Sequence, residues 1–400
     1  MKGVAILGAT GSIGRSTLEV LERHPAEFRV VSLAARSDAQ RMTELCLRHR
    51  PDVAVMEQAE AARELERGLR KAGSGTRVAG GAAAIEELAS SPAADVVMAA
   101  ISGAAGLRST LAAAAAGKRL LLANKEPVVM AGELLLANIR SGGATLIPID
   151  SEHNAIFQCL PHGARVGERP AGVRRLLLTA SGGPFLEWPV TAMARATPEV
   201  ACAHPRWSMG RKISVDSATL MNKGLELIEA TVLFGVPPSD VSVVVHPESI
   251  VHSLVEYLDG SILAQLGSPD MRTPIAQGLA WPGRMAAGVE FLDLAKVGSL
   301  GFRAPDRERF PCLGLAEAAA RAGSLACTWL NAADEVAVQA FLDRQVNFGD
   351  IPGVIERVMD RVPGGLMKDL DAVIAADSEA RAYAHAALDR LGPAAVKAPA

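Results

Sequence analysis

The sequence has 400 residues, room for two or three domains around a large buried core. Its 41 basic and 44 acidic residues leave a net charge of −3, which excludes a broad electrostatic pull toward nucleic acid or anionic membrane. The five cysteines, Cys46, Cys159, Cys202, Cys312 and Cys327, form no C-x-x-C pair, no apolar run reaches the roughly 18 residues of a spanning helix, and no secretory signal opens the chain, so the expectation is a cytoplasmic protein with reduced thiols.

In chain order, a β-rich run at 4–7 leads into Gly8-Ala9-Thr10-Gly11-Ser12-Ile13-Gly14 and then a helical pattern at 17–23. Strand, glycine turn and helix is the context of a dinucleotide site: glycines let the backbone approach a pyrophosphate, and the helix N-terminus offers unpaired N–H groups. Strand-like runs at 29–35, 53–56, 95–101, 119–123 and 144–149 then alternate with helical segments at 39–49, 58–72, 105–117 and 130–140. That alternation predicts an α/β, Rossmann-like, doubly wound domain over residues 1–150. Arg36-Ser37-Asp38 follows the second strand, where an arginine accommodates a ribose 2′-phosphate and an acid favours a free hydroxyl. The reading taken is that Arg36 or Ser37 meets the phosphate while Asp38 caps the next helix. Asn124-Lys125-Glu126 stands at another strand end, either as a helix cap or facing the ligand crevice.

The run 146–149 ends in Asp150-Ser151-Glu152-His153-Asn154. On extended backbone, Asp150 and Glu152 leave one face together, and two hard oxygen donors suit an ion such as Mg²⁺ or Mn²⁺. Strand-like runs recur at 173–179, 241–245, 250–258 and 261–266, with a hairpin turn at Asp259-Gly260, giving a second α/β domain with a more antiparallel sheet over 151–282. Between its first two strands lies the long segment 181–235, a length usually kept for function. It holds Ser181-Gly182-Gly183, a tight turn or anion nest; a lid-like loop at 204–212 with His204, Trp207, Met209 and Gly210; and Asp216-Ser217 with Asn222, Lys223 and Glu226. If a helix runs here, Asn222 and Glu226 lie one turn apart. Ser217, Asn222 and Lys223 can then hold a phosphate, while Glu226 adds a third oxygen to Asp150 and Glu152 or simply pairs with Lys223 at the surface. A Gly/Pro-punctuated linker at 283–311 leads to a helical C-terminal domain at 312–400, with helices at 313–322, 331–342, 351–361 and 378–391.

Taken together, these motifs resemble the 1-deoxy-D-xylulose 5-phosphate reductoisomerase family along essentially the whole chain. The resemblance implies NADPH, a divalent metal (Mg²⁺, Mn²⁺ or Co²⁺), a sugar phosphate substrate, a homodimer, and nucleotide-binding, connecting catalytic and C-terminal helical domains. Carried over residue by residue, it implies metal ligands at Asp150, Glu152 and Glu226, with catalytic roles for these three and for Lys125 and His204. Substrate positions fall at Lys125, Ser151, Glu152, Ser181, His204, Trp207, Ser217, Asn222 and Lys223. Cofactor positions fall at Gly8, Thr10, Gly11, Ser12, Ile13, Asn124, Glu126 and Gly210, beside Arg36 and Ser37. Two rivals stand beside it: an aldehyde or semialdehyde dehydrogenase, which needs an activated cysteine and finds Cys159 nearest the motif, and a non-enzymatic NADPH-sensing module.

Overall fold

The computed structural model describes residues 1–207 and 209–391; Ser208 of the expected lid and residues 392–400 of the expected C-terminal domain lie outside the described residues. The first stretch alternates β1 (Lys2–Leu7), α1 (Ser12–Glu22), β2 (Phe28–Ala35), α2 (Ala39–His49), β3 (Val53–Met56), α3 (Ala59–Lys71), β4 (Arg77–Gly80), α4 (Ala82–Ser90), β5 (Val96–Ala99), α5 (Leu107–Ala115), β6 (Arg119–Leu122), α6 (Glu126–Gly142), β7 (Thr145–Pro148) and α7 (Ser151–Cys159). There follow β8 (Val173–Ala180), α8 (Val190–Met193), α9 (Pro198–Ala201), α10 (Arg211–Thr219), α11 (Met221–Leu233), β9 (Val241–Val245), β10 (Val251–Tyr257) and β11 (Ile262–Leu266). The chain closes with α12 (Arg272–Ala280), α13 (Leu294–Val297), α14 (Pro311–Ala322), α15 (Ser324–Leu342), α16 (Ile351–Met359) and α17 (Leu370–Leu391).

The chain divides into two compact units, the first made of Met1–Pro127, Leu134–Phe157 and Asp270–Phe291. Its seven-stranded sheet has the order β4-β3-β2-β1-β5-β6-β7, and every pairing is parallel. Val4, Ile6, Leu33, Val97, Leu121 and Ile147 are fully buried, as strands covered by helices on both faces require. The order reverses at β1, so the crevice beyond the carboxyl ends of β1 and β5 is the switch point where such sheets take ligands. Helix α12 returns to this unit: a Cβ on Gly278 would fall 2.7 Å from Ile149 and 3.1 Å from Leu121, so glycine permits the close approach. Gln277 also accepts from Asn154 Nδ2 at 2.8 Å. The units therefore cut the chain differently from the expected boundaries at 150 and 282. The cause is long-range packing by residues 270–291, which carries no local signal.

The second unit contains Val128–Glu133, Gln158–Pro269 and the chain from Leu292 onward. Its four-stranded sheet runs β11-β10-β8-β9, antiparallel except for the parallel β8–β9 pair. The Asp259-Gly260 turn is present, with Gly260 at φ +87° and Ser261 N–H donating to Asp259. Helix α6 kinks at Ala131 (φ −142°, ψ 37°), and Thr328 Oγ1 donates to the Met130 carbonyl at 2.9 Å. Helices α14 to α17 form a helical layer around fully buried Trp329, whose ring meets Tyr383 at 5.4 Å. The expected long connection at 181–235 is instead mostly helical, α8 to α11. Among the described residues, no helix is long and apolar enough to cross a membrane.

Candidate active site

In the first unit, β1 runs into the glycine turn and α1 leaves it. Gly8 has φ +89°, and a Cβ there would sit 2.3 Å from the Ala100 carbonyl; one on Gly14 would sit 2.5 Å from the Gly8 carbonyl. Only glycine lets turn, helix and β5 approach so closely. Gly11 caps α1 in extended backbone without a side-chain bond, and no acid stands in the first turn, so the helix N-terminus remains suited to a phosphate. At the end of β6, Asn124 is buried, and neither its Oδ1 nor its Nδ2 has a hydrogen-bond partner among the described residues. A buried amide with both ends unsatisfied costs about 1–3 kcal/mol, and a carboxamide ligand such as nicotinamide would satisfy it. The residues present therefore fit a dinucleotide.

The parallel register of β6 and β7, Leu122 opposite Pro148, delivers Lys125 and Asp150 to the same sheet edge. There Lys125 Nζ lies 2.6 Å from Asp150 Oδ2, the two side chains 6% and 15% exposed. Glu152 corrects the expectation of extended backbone. It occupies the first turn of α7, because the chain turns helical at Ser151 and Asn154 N–H donates to the Asp150 carbonyl at 2.8 Å. The shared strand face thus has no role; the strand-to-helix turn places these acids, and Ser151 Oγ donates to Glu152. Asp38 does cap α2, accepting from Arg41 N–H at 3.0 Å. Arg36 is exposed and stands 3.9 Å from Glu57, a partner that the sequence reading lacks. Glu126, the first residue of α6, is buried.

In the second unit, Ser181 directly follows β8 and lies 2.8 Å from His204 Nε2. His204 Nδ1 accepts from the Arg206 and Trp207 backbone N–H groups at 3.1 and 2.9 Å. That assignment makes Nε2–H the donor to Ser181 Oγ and leaves the serine hydroxyl hydrogen to point elsewhere. One imidazole thus ties the β8 turn to the lid loop. Trp207 is half-buried, 6.3 Å from the His252 ring, a neighbour that the sequence does not announce. A Cβ on Gly183 (φ +67°) would fall 2.5 Å from the Ser217 carbonyl, so this turn packs directly on α10. Leu220, at φ +59°, breaks α10 from α11. On α11, Asn222 and Lys223 both donate to Glu226. The exposed-pair alternative fails, since Lys223 and Glu226 are 3% and 1% exposed. Gly210 caps α10 in extended backbone and is exposed.

Asp150 and Glu226 fit a hard divalent cation in donor type, since each already draws an ammonium group: Asp150 that of Lys125, Glu226 that of Lys223. Cys159 is buried at the end of α7, its carbonyl accepting from the Tyr257 hydroxyl at 2.6 Å.

Models of the 1-deoxy-D-xylulose 5-phosphate reductoisomerase family match residues 4–132, and models of its C-terminal domains match 146–234 and 266–383. The chain is 57% identical to 1-deoxy-D-xylulose 5-phosphate reductoisomerase of Pseudomonas syringae pv. syringae, over 97% of this chain and 98% of that one. It is 58% identical to that of Pseudomonas putida F1, over 97% of each. Among solved structures, DOX-P reductoisomerase in complex with NADPH, fosmidomycin and magnesium matches at a TM-score of 0.94 and 45% identity, over 98% of this chain and 99% of that one. The Zymomonas mobilis enzyme in complex with NADPH matches at 0.89 and 47%, over 97% and 99%.

Proposed function

Because the chain belongs to the 1-deoxy-D-xylulose 5-phosphate reductoisomerase family, we propose that its first unit carries the cofactor turn and two carboxylates of that family's chemistry and its second the phosphate and lid residues. The activity is the NADPH- and divalent-metal-dependent rearrangement and reduction of 1-deoxy-D-xylulose 5-phosphate to 2-C-methyl-D-erythritol 4-phosphate, in the non-mevalonate isoprenoid pathway. The family membership favours this activity over the dehydrogenase and sensor rivals. The observation that carries the site reading is the Lys125–Asp150 ion pair, 6% and 15% exposed, held at the sheet edge where the α/β fold takes its ligands.

In this reading Asp150, Glu152 and Glu226 are the metal ligands. When bound, the divalent ion polarises the ketone and templates the carbon–carbon rearrangement, and NADPH supplies the hydride. The chain's own groups bind and orient. Gly8, Thr10, Gly11, Ser12 and Ile13 cradle the pyrophosphate; Arg36 or Ser37 meets the 2′-phosphate; Asn124, Glu126 and Gly210 complete the cofactor contacts. Ser181, Ser217, Asn222 and Lys223 hold the substrate phosphate, with Ser181 donating through the hydrogen that His204 leaves available. Lys125 Nζ and Ser151 Oγ stand beside the carboxylates to orient the substrate's oxygens. Trp207 closes over them and sheds water. Phosphate binding remote from the reacting carbons supports their alignment. A homodimer in the cytoplasm is part of the same reading.

The test is to add 1-deoxy-D-xylulose 5-phosphate and Mg²⁺ or Mn²⁺ to protein and NADPH. Absorbance should fall at the nicotinamide band with metal and stay constant in chelator. A constant signal in both would leave an NADPH-binding module and overturn the reading.

A further inference from the structure

We propose that Lys212, Asp216 and Asp334 form a buried positioning cluster that sets α10, and with it Ser217 and the end of the 204–212 loop, for binding of the substrate phosphate; this rests on Ser217 being a phosphate ligand. Lys212 Nζ lies 2.7 Å from Asp216 Oδ2 one turn along α10 and 2.9 Å from Asp334 Oδ2 of α15. The side chains are 27%, 2% and 0% exposed. The link therefore pins the first turn of α10, immediately after the lid loop, to a long helix of the helical layer. Asp216 is next in sequence to Ser217, whose carbonyl carries the Gly183 turn, so a shift of α10 would move the Ser217 hydroxyl relative to Ser181.

The charges sharpen the assignment. One ammonium facing two ionised carboxylates would leave a buried negative charge, which is costly. Burial pushes the Asp334 carboxyl up, against the opposing pull of Lys212. It is faced by Lys212 and Asp216 from α10 and by the Cys312 thiol from α14. Glu335, its neighbour on α15, pairs with Arg381 of α17, which also holds Asp377. A proton kept on the trio by that burial makes it neutral, and that state is lost as pH rises through the raised Asp334 value. None of the three is proposed to touch substrate; they act through α10.

The test compares Lys212→Met, Asp334→Asn and, as reference, Ser217→Ala, reading kcat and KM for the sugar phosphate against pH. Lys212→Met should raise KM about tenfold to a hundredfold, the loss of one charged hydrogen bond at the phosphate, with kcat within about threefold. Asp334→Asn removes one of the two carboxyls and leaves Lys212 paired with Asp216, so KM at neutral pH should stay near wild type while the alkaline rise in wild-type KM disappears. If Ser217→Ala raises KM and Lys212→Met does not, the cluster is structural only and the proposal is overturned alone. If Ser217→Ala leaves KM unchanged, the phosphate reading fails first. Should Lys212→Met not fold, Asp334→Asn decides: an alkaline rise in KM persisting in that variant overturns the cluster's role.

Discussion

Replacing Asn124 by alanine should separate binding from stability in a way that few core substitutions do. The side chain is 6% exposed, and a Cβ on Gly106 would lie 2.4 Å from its Nδ2, so the amide is closely surrounded. Yet neither of its polar atoms has a partner among the described residues. Truncation loses packing worth about 2 kcal/mol, at ~0.8 kcal/mol per methylene-sized group, and relieves an unsatisfied amide worth about 1–3 kcal/mol. The two nearly cancel. In the absence of cofactor, stability should change by no more than about 1 kcal/mol, a Tm shift within roughly 4 °C. NADPH, if it satisfies both amide ends, should lose about 1–3 kcal/mol, a factor of roughly 5–150 in Kd. Thermal denaturation without cofactor and fluorescence titration with NADPH measure the two terms. A loss of about 2–5 kcal/mol in the cofactor-free protein, typical of a packed core truncation, with unchanged Kd would refute the reasoning.

Trp207→Ala should cut kcat/KM more than tenfold, by about 1.4 kcal/mol or more, while costing less stability than the ~3–5 kcal/mol of a core tryptophan; fully buried Trp329→Ala serves as the control. A Tm loss matching that control would make Trp207 a packing residue. Arg36→Ala should lower the ratio of NADPH to NADH kcat/KM and leave Tm unchanged, since its 3.9 Å contact with Glu57 is exposed. An unchanged cofactor ratio removes Arg36 from the 2′-phosphate. Burial pushes Cys46 and Cys327 up to about 12 and Cys312 well above the usual thiol range. Iodoacetamide near pH ~8 should therefore spare these three and leave the rate of NADPH oxidation intact. Inactivation tracking a label on Cys159 would return the cysteine-nucleophile rival.

Much of the first unit was legible because its strands are continuous apolar runs ended by glycines. The weak pair β4 and α4 escaped: Arg77-Val78-Ala79-Gly80 is too short and mixed to read as a strand. Asp150 and Glu152 were singled out for a partly mistaken reason. Their alternation suits a strand, but Ser151 and Asn154 start a helix there, and spacing alone does not separate two residues of strand from a first helical turn. Lys223 and Glu226 read equally as a surface pair; only burial, a property of the whole fold, decides against that. Lys212, Asp216 and Asp334 could not be joined in advance, because nothing local in a sequence links residues more than a hundred positions apart. The return of α12 was hidden for the same reason, with Gly278 as its one local trace.

The central claim is that one divalent ion is held by Asp150, Glu152 and Glu226. It is tested most directly by titrating Mn²⁺ into the metal-free protein, with bound ion followed by electron paramagnetic resonance, in wild type and in Glu226→Gln. The account predicts a single site per chain, weakened in the variant by more than about tenfold, or 1.4 kcal/mol, with NADPH affinity retained. Equal Mn²⁺ affinity in the two proteins, with turnover preserved at limiting metal, would contradict it.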